Sequence, residues 1–342
     1  MAEPWRTRLR TGLAAIAAVG LLVVAGRLWQ PGSERLAPPG DEASALPQPL
    51  RGGVEFAQPI SGLAVTPTAV WVALGTTIVR LDPHTLRATA RLRVSAVVDA
   101  PAGTARPVRG LAAGDHAIWA TLPSPTGGLL RIDPDTARVV AVVPVASVAP
   151  AAVSSTAVWV VCCGGETFLG AGQLVRVDPA TNRVVARIAL PGLADAVGVG
   201  PSGVWVRAAA GPVWRVDPVT NRVVATLEVP HGLGGAQGSV LVDPGAVWVS
   251  DPAAATVTRI DPRSNRIAAR VDVAGRALAA APDGTVLATN HQQVLGLFPG
   301  PVRSVDVDGL DGAYATALVA GADTIWVAES GVLFHVGQRE LR

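Results

Sequence analysis

The chain has 342 residues, 49% of them hydrophobic and 16% charged, with a net charge of +2 and two cysteines. That length and apolar content support a large buried core and exclude a disordered chain. Two cysteines exclude a disulfide-dense scaffold, and residues 52–342 carry 22 Arg against 22 acids, so no basic stripe points to nucleic acid.

Arg6, Arg8 and Arg10 precede an uncharged run from Thr11 to Gly26, and Arg27 and Trp29 follow it. A hydrophobic helix is therefore expected within residues 1–29, and the Arg bias places its N-terminus inside. Residues 11–26 span about 24 Å as a helix, short of a bilayer core of about 30 Å, although Trp5, Trp29 and snorkelling Arg extend the reach. The rival is a cleaved signal peptide, with Val23 and Ala25 supplying small residues at a cleavage site. In the first case the protein is single-pass in the cell membrane with the rest extracytoplasmic; in the second it is secreted. Residues 30–51 carry Pro31, Pro38, Pro39, Pro47 and Pro49 among Ser, Gly and acids, the composition of an extended tether.

From residue 52 onward a single unit repeats. Trp recurs at Trp71, Trp119, Trp159, Trp205, Trp248 and Trp326, and Leu287 replaces it once, giving spacings of 48, 40, 46, 43, 39 and 39. Arg-apolar-Asp-Pro recurs at Arg80–Pro83, Arg131–Pro134, Arg176–Pro179, Arg215–Pro218 and Arg259–Pro262. A period of roughly 40–45 residues made of short β runs is the mark of a propeller blade. The expectation is an all-β, seven-bladed β-propeller of four-stranded blades over residues 52–342, acting as a monomer.

Within a blade, small-residue runs such as Ser61–Val65 and Arg276–Ala280 fit the crowded inner strand, and the Trp strand follows. Each indole fills the wedge between blades, so core packing accounts for every repeated Trp. Asp-Pro-x-Thr-Asn is a turn recipe: Asp accepts from amides ahead of it, Pro presets φ, and Asn tolerates the left-handed conformation. The Arg two residues before each Asp shares its face, so local Arg–Asp pairing around the ring is expected. The ring closes either through Val54–Phe56, completing the last blade, or through an outer strand from Arg339–Arg342.

Alternating strand direction puts the loops after the Trp strands and the loops between blades on one face, with the Asp-Pro turns on the other. Two long insertions fall on the first face, Ser95–Pro107 and Cys162–Gln173, and rigid scaffolds concentrate function on such loops. The residues three after each Trp are Leu74, Leu122, Cys162, Ala208, Asp251, Asn290 and Glu329, with His291 alongside. Asp99, Arg109, Asp195, His231 and Arg276 start or approach inner strands on that face, and Glu166 sits on the second insertion. A polar pocket for a small molecule or peptide would draw its ligand-binding residues from Asp99, Arg109, Glu166, Asp251, Asn290 and Arg276. Solvated loop ends would give the same set. Cys162 and Cys163 are adjacent, so either a strained vicinal disulfide forms or two thiols point to opposite sides. No His/Cys set matches them, so no metal site is read there.

The unit Ala157–Val160 through Arg176–Ala186 resembles the YVTN-type repeat propellers of bacteria, related to the virginiamycin B lyase (streptogramin lyase) family. The resemblance covers about residues 54–342. It implies a seven-bladed propeller and, for the lyases, Mg²⁺-assisted elimination with central His and Glu. The lyase strands read Trp-Phe-Thr-Glu, whereas those here read Val-Trp-Val, with acids at the matching place only at Asp251 and Glu329. His291, Glu329 and His231 are the catalytic candidates that the resemblance implies, with Mg²⁺ the only cofactor and only in that case.

Three readings follow. One is a non-catalytic exported propeller binding a protein, peptide, glycan or small ligand on its loop face. The second is a lyase-like or hydrolase-like enzyme at the axis. The third is an extracytoplasmic sensor or scaffold held by its N-terminal anchor.

Overall fold

In the computed structural model the described residues are 49–50, 53–94, 107–123, 127–145, 147, 149–163, 172–209, 211–232, 237–290, 293–298, 302–306, 315–321 and 323–337. The helix expected within residues 1–29, and most of the two long insertions, lie outside them. Among the described residues no helix is long and apolar enough to cross a membrane.

Seven antiparallel sheets make up the described structure. Blade one runs Ile60–Thr66, Ala69–Leu74, Thr77–Leu81 and Ala88–Arg93, and blade two Gly110–Gly114, Ala117–Thr121, Leu129–Asp133 and Arg138–Val143. Blade three is Ala152–Val153, Val158–Cys163, Gly172–Asp178 and Arg183–Ala189, and blade four Ala194–Gly200, Gly203–Ala208, Val213–Asp217 and Arg222–Leu227. Blade five is Val240–Val242, Val247–Asp251, Thr256–Asp261 and Arg266–Val271, and blade six Leu278–Ala280, Val286–Thr289, Gln293–Phe298 and Arg303–Asp306. Blade seven is Ala315–Ala320, Thr324–Glu329 and Val332–Gly337.

The first strand of each blade touches the first strand of the next, and that of blade seven touches Ile60–Thr66, so the inner strands close a ring about one axis. Each is hydrogen-bonded only to its own Trp strand, which leaves its other edge facing the axis. Small residues permit this convergence: a Cβ on Gly62 would lie 2.7 Å from the Leu111 amide nitrogen of the neighbouring blade.

Blade seven takes its fourth strand from the front of the chain. Gly53–Glu55 pairs antiparallel with Val332–Gly337, Val54 facing Leu333, and Pro49–Leu50 adds a short fifth strand outside it. Of the two closures read from the sequence, the one through Val54–Phe56 is the one formed. It covers an edge that would otherwise stay open.

The indoles hold the wedges together. Trp71 shares a core with Ile118 and Ile132 of blade two, Trp159 with Val204 and Val216 of blade four, and Trp205 with Val247 and Ile260 of blade five. Trp326 completes the circle against Val70 and Leu81 of blade one, and Leu287 fills the equivalent place against Ile325 and Val327. Each buried indole removes a large apolar area from water, at roughly 25 cal/mol per Å².

The Asp-Pro turns form as their chemistry dictates. Asp82 accepts from the amides of His84 (3.0 Å) and Thr85 (2.8 Å), and Asp178 from Ala180 (2.8 Å). Asn182, Asn221 and Asn265 take φ of 56°, 54° and 53°. Ala137 holds the same left-handed position in blade two at φ 53°.

The expected Arg–Asp pairing is corrected. Arg131 lies 5.8 Å from the Trp119 ring centre and donates to the Pro179 carbonyl (2.8 Å) and Asn182 Oδ1 (3.1 Å) of the next blade. Arg176 repeats this over Trp159 with Pro218 and Asn221, and Arg215 over Trp205 with Pro262 and Asn265. The turn amides and the Thr hydroxyls already occupy the Asp oxygens, and the indole face steers each guanidinium outward to the following turn.

Opposite each such Arg the outer strand carries a bulge, as between Arg176 and Val177 and between Arg215 and Val216. The residue left over is Val185 or Val224, 54% and 55% exposed. These apolar surface residues thus mark a twist that blunts the outer edges against sheet-to-sheet pairing.

Candidate functional site

Where the inner strands begin, on the face away from the Asp-Pro turns, a cavity of about 470 Å³ opens on the axis. All seven blades line it, and the volume suits a small ligand. Its charged lining is Arg109, Asp195 and Arg276, joined by the polar Ser61, Gln237 and Ser239.

Arg276 stands on a fixed mount. The hydroxyls of Ser239 (2.9 Å) and Ser250 (3.0 Å) both donate to its carbonyl, and its amide donates to the Thr289 carbonyl at 3.1 Å. Arg109 is held by its amide, which donates to the Thr121 carbonyl at 2.8 Å. Beside it, a Cβ on Gly110 would lie 2.6 Å from Pro150 Cγ, so blades two and three meet tightly under the cavity mouth.

Behind the wall lies a buried charge network. Arg207, 3% exposed, donates Nη1 to Asp195 Oδ2 and Nη2 to Asp251 Oδ2, the latter at 2.9 Å. Asp251, 4% exposed, also accepts from the Ala254 amide at 2.9 Å through Oδ1. The second oxygen of Asp195 is buried without a donor. Burial pushes the Asp195 carboxyl above its ordinary range, against the pull of the Arg207 guanidinium and with help from the Asp251 charge. Gly238 closes over the network: a Cβ there would lie 3.0 Å from Arg207 Nε.

The residues singled out from the sequence are dispersed. Arg109 and Arg276 line the cavity, while Asp251 is behind its wall and bonded to Arg207. Asn290 is half-buried and closes a hairpin, accepting from the Gln293 amide at 2.8 Å. Glu329, 3% exposed, ends the Trp strand of blade seven, and the exposed His231 lies beside Gly211; neither is on the cavity lining. Asp99, Glu166 and His291 lie outside the described residues, as does the Cys163 side chain and with it the question of a vicinal bridge; Cys162 is half-buried.

Sequence reading passed over Arg207. Two residues after each Trp stand Ala73, Thr121, Val161, Arg207, Ser250, Thr289 and Ala328. One guanidinium in a register of small or apolar residues is a signal that aligning the blades would have exposed.

Mg²⁺ does not fit this arrangement. Among the described residues no three His, Cys, Asp or Glu are grouped to hold a metal ion. The two acids that do approach each other have a guanidinium between them, which takes their oxygens and repels a second cation.

No protein family and no curated protein matches the chain. Solved structures do. The virginiamycin B lyase of Staphylococcus aureus superposes with a TM-score of 0.64 at 12% identity, covering 82% of this chain and 95% of that one. The chain has the lyase's fold. A catalytically inactive form of that enzyme with quinupristin gives 0.63 at 13% identity, covering 83% and 98%. The Pan2 WD40 domain of Neurospora crassa scores 0.65 at 12% identity, covering 82% and 89%. The resemblance read from the repeat holds for architecture, and an enzyme and a WD40 domain match it about equally well.

Proposed function

We propose that this chain is a non-catalytic binding module whose ligand enters the axial cavity. The observation that supports this most is the cavity of about 470 Å³, shared by all seven blades and lined by the arginines 109 and 276. Proton abstraction needs a positioned base, and the one acid on this lining is held by Arg207. The N-terminal run Thr11–Gly26 further supports an exported propeller tethered to the membrane, with sensor or scaffold duty following from the tether.

A lyase-like activity is the alternative, favoured by the shared fold. One experiment separates them. A thermal-shift screen of chemically varied small molecules, run on the wild type and on Ser61→Trp to plug the cavity, should give ligands that stabilise the first and not the second. Ligands that stabilise both equally would overturn the axial site. Chemical conversion of quinupristin would establish the lyase instead.

A further inference from the structure

The axial cavity holds two cations that the protein leaves unneutralised. Arg109 precedes the inner strand of blade two and Arg276 that of blade six, and both line the cavity. Among the described residues neither guanidinium has a hydrogen-bond or ion-pair partner. The third arginine nearby, Arg207, is different: it is buried and fully engaged by Asp195 and Asp251. In a closed ring of seven blades, two and six stand three places apart, the widest separation available. The two guanidiniums therefore approach the cavity from nearly opposite sides.

An arginine fork matches a carboxylate or phosphate bidentately, as a lysine point charge does not; Arg276 is half-buried and Arg109 exposed. The opposing charge is muted. Asp195 is the one acid on the lining; its Oδ2 is turned to Arg207 and its Oδ1 is buried. The free edges of the inner strands add backbone N–H groups around the axis. Both arginines also sit on rigid mounts, Arg276 beneath two serine hydroxyls and Arg109 against the Gly110–Pro150 contact. These contacts fix where each side chain leaves the backbone, so both guanidiniums extend from set points on the cavity wall.

We propose that the axial cavity takes a small molecule with two oxyanion groups, carboxylate or phosphate, one held by Arg109 and the other by Arg276. This rests on the reading of the cavity as the ligand site and names the ligand's class. Cations and metal ions are excluded by the same two charges, and a neutral ligand would leave both forks unsatisfied.

Titration calorimetry on the full chain at fixed ionic strength tests it, with succinate, glutarate, adipate and pyrophosphate against acetate and neutral succinamide. At least one dianion should bind, with acetate weaker by about tenfold or more and succinamide silent, since one lost charged contact is worth at least about a factor of ten. The carboxylate and phosphate arms decide which oxyanion the site prefers. Arg109→Ala and Arg276→Ala should each weaken binding about tenfold, the Lys variants should fall between, and Arg187→Ala on the outer strand of blade three should change nothing. Binding should also weaken as salt rises. Equal binding by wild type and both Ala variants, acetate as tight as the dianions, or no dianion bound at all would each overturn the proposal. If a neutral or cationic compound binds and Ser61→Trp abolishes it, the cavity reading survives and the dianion falls. If Ser61→Trp abolishes nothing, both fall.

Discussion

Arg207 of blade four and Asp251 of blade five meet at 2.9 Å across the seam between their blades, both almost wholly buried. Removing one member of a buried pair strands the charge of the other, at a cost of about 3–5 kcal/mol. Arg207→Ala should lose about that much, because it strands Asp251 and also unpairs Asp195. Urea unfolding is the measurement. The double variant Arg207→Ala with Asp251→Ala should recover part of the loss, and a single variant within 1 kcal/mol of wild type, a threshold near the ~1 kcal/mol typical of point changes, would contradict the pairing.

Asp195 and the turn aspartates should respond to pH with opposite sign. Backbone and hydroxyl donors in the turns hold Asp82, Asp133, Asp178, Asp217 and Asp261 below the usual 3.8. The stability they add is present above pH 3.8 and disappears as pH falls through their lowered values. Burial raises Asp195 above 3.8, so its contribution is full below that pH and is lost as pH rises through its folded value. Asp195→Asn removes only the second trend. Its stability relative to wild type should therefore increase with pH above 3.8, read as melting temperature against pH; a difference that shrinks with pH would refute the assignment.

Arg176 couples the charge of its guanidinium, its flat face over Trp159 and its fork on Pro218 and Asn221. Lys keeps the charge and loses the plane and the fork. Arg176→Lys should cost roughly 1 kcal/mol, with Arg131→Lys and Arg215→Lys similar, measured by thermal unfolding.

Ala137 marks a gap in this belt. It occupies the left-handed turn position that Asn182, Asn221 and Asn265 fill in blades three to five. There the Asn also accepts from Nη1 of the preceding blade's Arg, a bond that the Ala137 side chain cannot offer Arg80. Ala137→Asn should relieve backbone strain and offer Arg80 an acceptor, a gain of about 1 kcal/mol. Ala137→Gly should recover the conformational part alone. A destabilised Asn variant beside a stabilised Gly variant would show that the site lacks room for the amide.

What the chain discloses in sequence follows the range of each interaction. The Trp and Asp-Pro-x-Thr-Asn series specify hairpins within one blade, so blade number, turn chemistry and inner-strand smallness were all legible. Val54–Phe56 was readable as a closing strand because one blade lacked its fourth. The direction of the Arg side chains was not, since Arg131 reaches Asn182 on the next blade and its own motif gives no hint of that. Nor was the Arg207 network, whose partners lie 12 and 44 residues away and meet only when the ring closes. The cavity belongs to no single segment, and only Arg109, Asp195 and Arg276 could be anticipated on its face.

Because Gly53–Glu55 is laid against Val332–Gly337, the circle is fastened by strands from opposite ends of the sequence. During synthesis the early strand must wait, unmated, until Val332–Gly337 has left the ribosome, so the circle cannot lock before then. A pull on the chain ahead of Pro49 would be felt first at that fastening, the clasp that holds the seven wedges shut.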